Sequence, residues 1–133
     1  MLALRLKNLW LGVGILLVIA VFVLSLLPSP KMPMPPSLQD KTGHIIAYFV
    51  LMFWFSGLWP RAAQWRLAVV FVLMGVGLEF VQGFIPSRFS DTLDMLANTL
   101  GVVVAWALVR LGADRWMQVI ERLFFGATSQ TDG

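Results

Sequence analysis

The chain has 133 residues and no cysteine, which excludes disulfides, cysteine-ligated zinc and thiol catalysis. Charge is scarce as well. Asp, Glu, Lys and Arg make up 13% of the residues, roughly half of what a soluble domain carries. The basic residues stand singly among apolar runs, with no basic stripe and no interleaved aromatic platform. The net charge of +3 and the pI near 10.0 therefore do not signal nucleic acid, and no nucleic-acid partner is expected. No internal repeat, nucleophile motif, glycine-rich phosphate loop or metal-ligand spacing is visible. No cofactor and no metal is expected on these grounds.

What fills the chain is apolar surface. Hydrophobic residues reach 59% and the mean hydropathy is +0.81. A chain this short cannot hide so much apolar surface in one core, so much of it must face lipid. Six Trp against one Tyr suits a bilayer protein, because indoles settle at the headgroup level. The expected fold is an all-α membrane protein: a four-transmembrane-helix bundle, residues 1–133 forming one domain, with a short C-terminal amphipathic helix.

Four apolar runs carry this expectation. The first, Leu9 to Leu27, has 19 residues without charge, close to the ~20 that span hydrocarbon. Arg5 and Lys7 precede it, but it exceeds a signal-peptide core of about 7–15 residues and no small-residue cleavage site follows, so it reads as a retained signal-anchor. The others cover about 42–59, 65–85 and 93–111. Five of the seven prolines (Pro28, Pro30, Pro33, Pro35 and Pro36) fall between the first two runs. They make 28–41 an extended outer connector. Asp114 to Phe125, within 112–126, alternates charge with Trp116, Met117, Val119, Ile120, Leu123 and Phe124. That is a surface helix, followed by a polar tail expected to be disordered.

Lys and Arg counts set the orientation. With the N-terminus inside, seven basic residues (Arg5, Lys7, Arg61, Arg66, Arg110, Arg115, Arg122) lie within and three (Lys31, Lys41, Arg88) outside. The positive-inside bias then puts both termini in the cytoplasm.

The polar residues of the spans gather near the outer face. Asp40, His44 and Tyr48 recur every four residues along the second run, so they share one helix side. Glu79 and Gln82 are three apart in the third, and Glu79 sits about 9 Å below the end of its helix. Asp91, Asp94 and Asn98 form one stripe at the start of the fourth. Lys41 and Arg88 are the nearby cations. An ionisable side chain in a span costs about 2.5–3.5 kcal/mol on insertion scales and needs a partner. Glu79, fixed between Leu78 and Phe80, must be protonated or paired with Arg88, Lys41 or a charged His44. Interhelical glue is the plain alternative, at about 0.6–2 kcal/mol per bond, and Gln82 and Asn98 suit it well. Tyr48 also suits an interfacial anchor, His44 a satisfied structural histidine, and Asp40 with Lys41 a helix cap. Gly75, Gly77, Gly83 and Gly101 suit close helix approach.

Taken in order, Asp40-Lys41-x-x-His44-x-x-x-Tyr48, Glu79-x-x-Gln82, Pro86-x-Arg88-x-x-Asp91 and Asp94-x-x-x-Asn98-x-x-Gly101 resemble the VanZ-like family. The resemblance covers about Asp40 to Gly101 and the hydrophobic frame on both sides. It implies a small multi-pass protein of the bacterial cytoplasmic membrane concerned with the cell envelope, in a family named from teicoplanin resistance. The expected function is binding: an outer-leaflet pocket that takes an envelope lipid or lipid-linked cell-wall precursor, with an effect on glycopeptide susceptibility. Arg88, Lys41 and His44 would meet phosphate, and Asp94, Asn98, Gln82 and Glu79 sugar or amine groups.

Three other readings stand beside it. In an enzyme, Glu79 or His44 would act as general base and Asp94 would bind a metal or orient substrate, although one His among carboxylates suits a hard divalent cation only loosely. In a structural subunit, the apolar perimeter would dock a homo-oligomer or a membrane partner protein. A transporter is disfavoured, since four helices without a repeat are too few for alternating access in a monomer.

Overall fold

A charge-free run of leucine, isoleucine and valine has no alternative to helix in lipid, because only intra-segment hydrogen bonds satisfy its backbone there. The computed structural model describes residues 1–27, 36–85 and 91–126, with backbone alone at 36–40. Within them lie five α-helices: α1 (Lys7–Leu26), α2 (Pro36–Ser56), α3 (Gln64–Gln82), α4 (Thr92–Arg110) and α5 (Trp116–Phe125). Single 3-10 turns, Arg61–Ala63 and Ala113–Arg115, lead into α3 and α5. No strand occurs among the described residues. Three helices are long and apolar enough to cross a membrane: Lys7–Leu26, Arg61–Gln82 (α3 with its leading turn) and Thr92–Arg110. The polar tail past residue 126, the connector at 28–35 and the loop at 86–90 lie outside the described residues.

The second helix starts earlier than expected. The proline-rich connector was expected to stay extended through residue 41, yet α2 begins at Pro36. Proline at the first helical position loses no hydrogen bond and has its φ already set for helix, so the last proline of the run opens the helix. Lys41 thereby stands inside α2 rather than in a loop.

Glycine sets how the helices meet. A Cβ on Gly101 of α4 would strike the carbonyl oxygen of Ile45 and lie 3.0 Å from the backbone nitrogen of Phe49, so α4 lies against the backbone of α2. A Cβ on Gly75 of α3 would lie 3.0 Å from Asn98 Nδ2 and 3.2 Å from Tyr48 Cε1. Gly75 thus lets α3 close over α2 and α4 together. Gly77 faces open space and has no such role. Tyr48, Leu51, Met52 and Phe55 of α2 are buried at the i, i+3, i+4, i+7 spacing of one helix stripe. They pack with Ala68 and Phe71 of α3 and with Val102 and Ala105 of α4. The α1 helix buries Gly14 alone, and its Leu16, Ile19 and Leu24 are exposed, as suits a lipid-facing helix.

At one end of the molecule, α5 ties the chain together. Its Trp116 ring lies 5.6 Å from Trp10, 5.4 Å from Trp54 and 5.4 Å from Phe53. The indole N–H groups of this cluster are satisfied: Trp54 donates to the Trp10 carbonyl at 3.0 Å and Trp116 to the Phe53 carbonyl at 3.3 Å. Trp10 donates to Glu121 at 2.8 Å. The same carboxylate accepts the backbone N–H groups of Arg5 at 2.6 Å and Leu6 at 2.8 Å. No side chain caps α1 locally, so a residue far along the chain supplies the acceptor and the negative charge that a helix N-terminus favours. Nearby, Arg61 reaches from its turn to the Arg110 carbonyl at 2.8 Å and to Asp114 at 3.1 Å.

Burial of Glu121 pulls its pKa up, but the Leu6 and Arg5 amides, the Trp10 indole and the Arg5 charge outweigh it, holding the carboxyl below its ordinary value. A group depressed in this way contributes stability that is complete above its unfolded pKa, roughly 4.3, and is lost as pH falls through the folded value. The exchange protection factors of the Arg5 and Leu6 amides should therefore fall below about pH 4.3, and Glu121→Gln should flatten that dependence. The glycine contacts make a separate forecast. Gly101→Leu should lower thermal stability in detergent by about 1–3 kcal/mol, whereas Gly77→Ala should leave it unchanged.

Candidate functional site

At the end of the molecule opposite α5, three helices place polar side chains against one another. The crossing of α2 and α4 at Gly101 brings His44 one turn above Tyr48 and beside Asn98. The approach of α3 at Gly75 brings Glu79, one turn further along, to the same depth. His44 Nδ1 lies 2.7 Å from Asn98 Oδ1. An amide oxygen accepts only, so Nδ1 carries the proton of that bond. The other ring nitrogen, Nε2, faces Asp94 Oδ2 at 3.6 Å. Asp94 is divided between two partners, since its Oδ1 lies 3.5 Å from the Lys41 ammonium.

Asp91 closes the cluster from the loop side. It is the N-cap of α4, its Oδ1 accepting the Leu93 N–H at 2.9 Å, while its Oδ2 takes Lys41 at 3.2 Å. Its own backbone N–H donates to Glu79 Oε1 at 2.7 Å. The Leu93 amide first, and then Lys41, hold the Asp91 carboxyl below its ordinary range.

Glu79 is 1% exposed. Of the cations expected for it, Arg88 lies outside the described residues, Lys41 is taken by the two aspartates and a ring nitrogen of His44 lies within 4.8 Å; among the described residues its hydrogen-bond partner is the Asp91 backbone amide. Its second oxygen, Oε2, is enclosed and has no hydrogen-bond partner among the described residues. The hydroxyl of Tyr48, a buried residue, is also unpartnered. Other enclosed atoms without partners (Ser56 Oγ, the Gln64 amide and Trp106 Nε1) are neutral and lie elsewhere on the helices. Glu79 contributes the only carboxylate oxygen among them.

The ten expected site residues sort accordingly. Lys41, His44, Glu79, Asp91, Asp94 and Asn98 share one connected cluster, and Tyr48 lies beside Asn98 across Gly75. Gln82 does not join it; its amide donates to the Ser25 carbonyl at 2.7 Å and ties α3 to α1. Arg88 and the side chain of Asp40 lie outside the described residues. The cluster opens at Lys41 and Asp91, whose side chains are 29% and 43% exposed, and closes inward at Glu79 and Asn98. Three carboxylates against one Lys give it an excess of negative charge.

Sequence reasoning missed Glu121. The signal was present: Glu121 lies four residues after Met117, on the face of α5 that the apolar residues should own. The cavity between the N-terminal segment and α5, bordered by Arg5, Glu121, Arg122 and Phe125, belongs to that end and not to the polar cluster.

Compared with known proteins, residues 10–113 match the model of the VanZ/LLP1 family. An uncharacterized protein of Schizosaccharomyces pombe is 33% identical over 119 residues, covering 82% of this chain and 72% of its own length. No solved structure matches the chain.

The two polar roles separate by mutation. Gln82→Leu should lower stability by about 0.6 kcal/mol, the average for a bond between membrane helices. Asn98→Leu strands the buried Nδ1 of His44 and should cost more, about 1–3 kcal/mol. Unfolding in mixed micelles checks both.

Proposed function

The chain belongs to the VanZ/LLP1 family, matched over residues 10–113, and from that premise we propose that its polar cluster holds the headgroup of an envelope lipid or lipid-linked cell-wall precursor. The single observation that carries this reading is the enclosed, unpartnered Glu79 Oε2. Helix glue pairs its polar atoms, because an unmade hydrogen bond in low dielectric costs more than the bond contributes. A carboxylate left with a free oxygen is better explained by a ligand that completes it.

The arrangement suits a headgroup approached from the membrane surface. In this reading α2 is the remaining crossing, added to the three helices that qualify by length and composition. Among the described residues, Arg5, Lys7, Arg61, Arg66, Arg110, Arg115 and Arg122 fall on the α5 side and Lys41 at the other end. That side is then cytoplasmic in a bacterial inner membrane, both termini included. The cluster belongs to the outer leaflet. The structure shifts the expected division of labour within the headgroup: Lys41 is already held by Asp91 and Asp94, so Arg88 remains as the candidate for phosphate, and the acidic excess favours a cationic or amine-bearing group. An effect on glycopeptide susceptibility would follow from sequestering or presenting such a precursor.

A second reading, an interaction subunit, draws on α1. Only Gly14 of its 20 residues is buried, leaving a long apolar face for a partner helix or a second copy. The two readings diverge experimentally. Lipids co-purifying with the full chain in mild detergent should be enriched in one headgroup class relative to the source membrane. Arg88→Ala and Asp94→Asn should each abolish that enrichment while Gln82→Leu retains it. An unchanged lipid profile in both variants, with the fold intact, would overturn the headgroup reading. Equal loss of abundance in all three would favour the subunit.

A further inference from the structure

The headgroup reading leaves one local problem unsolved. With Nδ1 of His44 protonated toward Asn98 at 2.7 Å, a neutral imidazole turns the lone pair of Nε2 toward Asp94 Oδ2 at 3.6 Å. Glu79 Oε2 adds an enclosed lone pair that meets no donor among the described residues. One ligand atom from each of His44, Glu79 and Asp94 lies within 4.8 Å of the other two. Lone pairs do not converge in an apolar surround unless something positive sits among them.

We infer that His44, Glu79 and Asp94 form a site for one divalent first-row cation, of which Mn2+ and Zn2+ are the fitting probes. Four features support it. The donor set, one imidazole and two carboxylates, suits such ions better than Ca2+ or Mg2+, which take oxygen ligands almost alone. Asn98 holds the far nitrogen of His44, as an outer partner does for a metal-bound histidine, fixing the tautomer and aiming Nε2 inward. Lys41 and the Asp91 amide occupy the outer oxygens, Asp94 Oδ1 and Glu79 Oε1, which leaves Asp94 Oδ2 and Glu79 Oε2 for the ion. The ligands also come from three different helices, so the ion would lock α2, α3 and α4 at one depth. Metal–ligand lengths of about 2.0–2.2 Å require the side chains to draw in by rotation from their present separations.

Three protein ligands leave at least one position open, which water or a phosphate oxygen can take. The cation would therefore be the part of the cluster that meets a phosphorylated headgroup. That step rests on the reading proposed above; the cation site itself does not.

The test uses the full chain in detergent, treated with chelator and then titrated with Mn2+ followed by electron paramagnetic resonance, and with Zn2+ against a chromogenic chelator. One ion per chain should bind, and Zn2+ should raise the thermal midpoint of unfolding. Glu79→Gln and Asp94→Asn, which keep side-chain shape, should each abolish saturable binding, and Asn98→Ala should weaken it about 10–100-fold. Gln82→Leu, whose amide is turned to the Ser25 carbonyl, should leave one ion bound. Absence of saturable binding by the wild-type chain would overturn the inference, as would unchanged affinity in Glu79→Gln. Lipid enrichment is scored on the same samples: its persistence without metal binding sinks the cation site alone, and its loss with metal binding intact sinks the headgroup reading alone.

Discussion

A carboxylate shut between apolar helices must be given a proton, donors or a cation, because an ion in low dielectric is otherwise too costly to keep. Much of this molecule is arranged around two such groups, one near each end. Glu121 is met in full: two backbone amides and an indole point at it. Glu79 is met in half, by the Asp91 amide, among the described residues. The contrast separates a fastening from a site. On the reading proposed above, the first carboxylate fastens the chain and the second keeps an oxygen for a ligand.

Both arrangements depend on backbone proximity that side chains alone could not provide. Gly101 lets α4 touch the main chain of α2, and Gly75 lets α3 fit over Tyr48 and Asn98. Without these contacts the polar residues of three helices would face one another across a gap that water would fill. The close crossing shuts solvent from the inner part of the cluster, at Glu79, Asp94 and Asn98, and low dielectric strengthens the electrostatics there. The loop side works by different means. Asp91 caps its own helix, pairs with Lys41 and gives its amide to Glu79, so the start of α4 cannot move without disturbing the cluster.

Much of this could be read from spacing. Apolar runs gave the helices to within a few residues, because lipid enforces helix along any such run, and three of them qualify as spans by length and composition. The i, i+4 recurrence of His44 and Tyr48 and the stripe of Asp94 and Asn98 gave the cluster, since polar residues in such helices converge or fail. What spacing could not give was the pairing. Gln82 lies on nearly the same side of α3 as Glu79, yet it reaches Ser25 of α1, because the long amide is deflected to an open carbonyl that no local pattern reveals. Nor could spacing show that Lys41 is spent on two aspartates, or that Pro36 opens a helix. Glu121 was legible only as an acid four residues after Met117, on the face of α5 that apolar residues should fill. Its partner is the main chain of a distant helix start, and main-chain amides leave no mark in the alphabet of side chains.

The clasp between Glu121 and the amides before α1 also has an order in time. The ribosome delivers α1 first, and its leading amides enter the membrane surface without their acceptor. They stay so until α5 emerges, after every other helix described here has been made. The acceptor then arrives together with Trp116, which fits among Trp10, Trp54 and Phe53 only if α2 already stands beside α1. The clasp therefore closes from the later helix back onto the earlier one, and α5 can seat only where α1 and α2 already stand together.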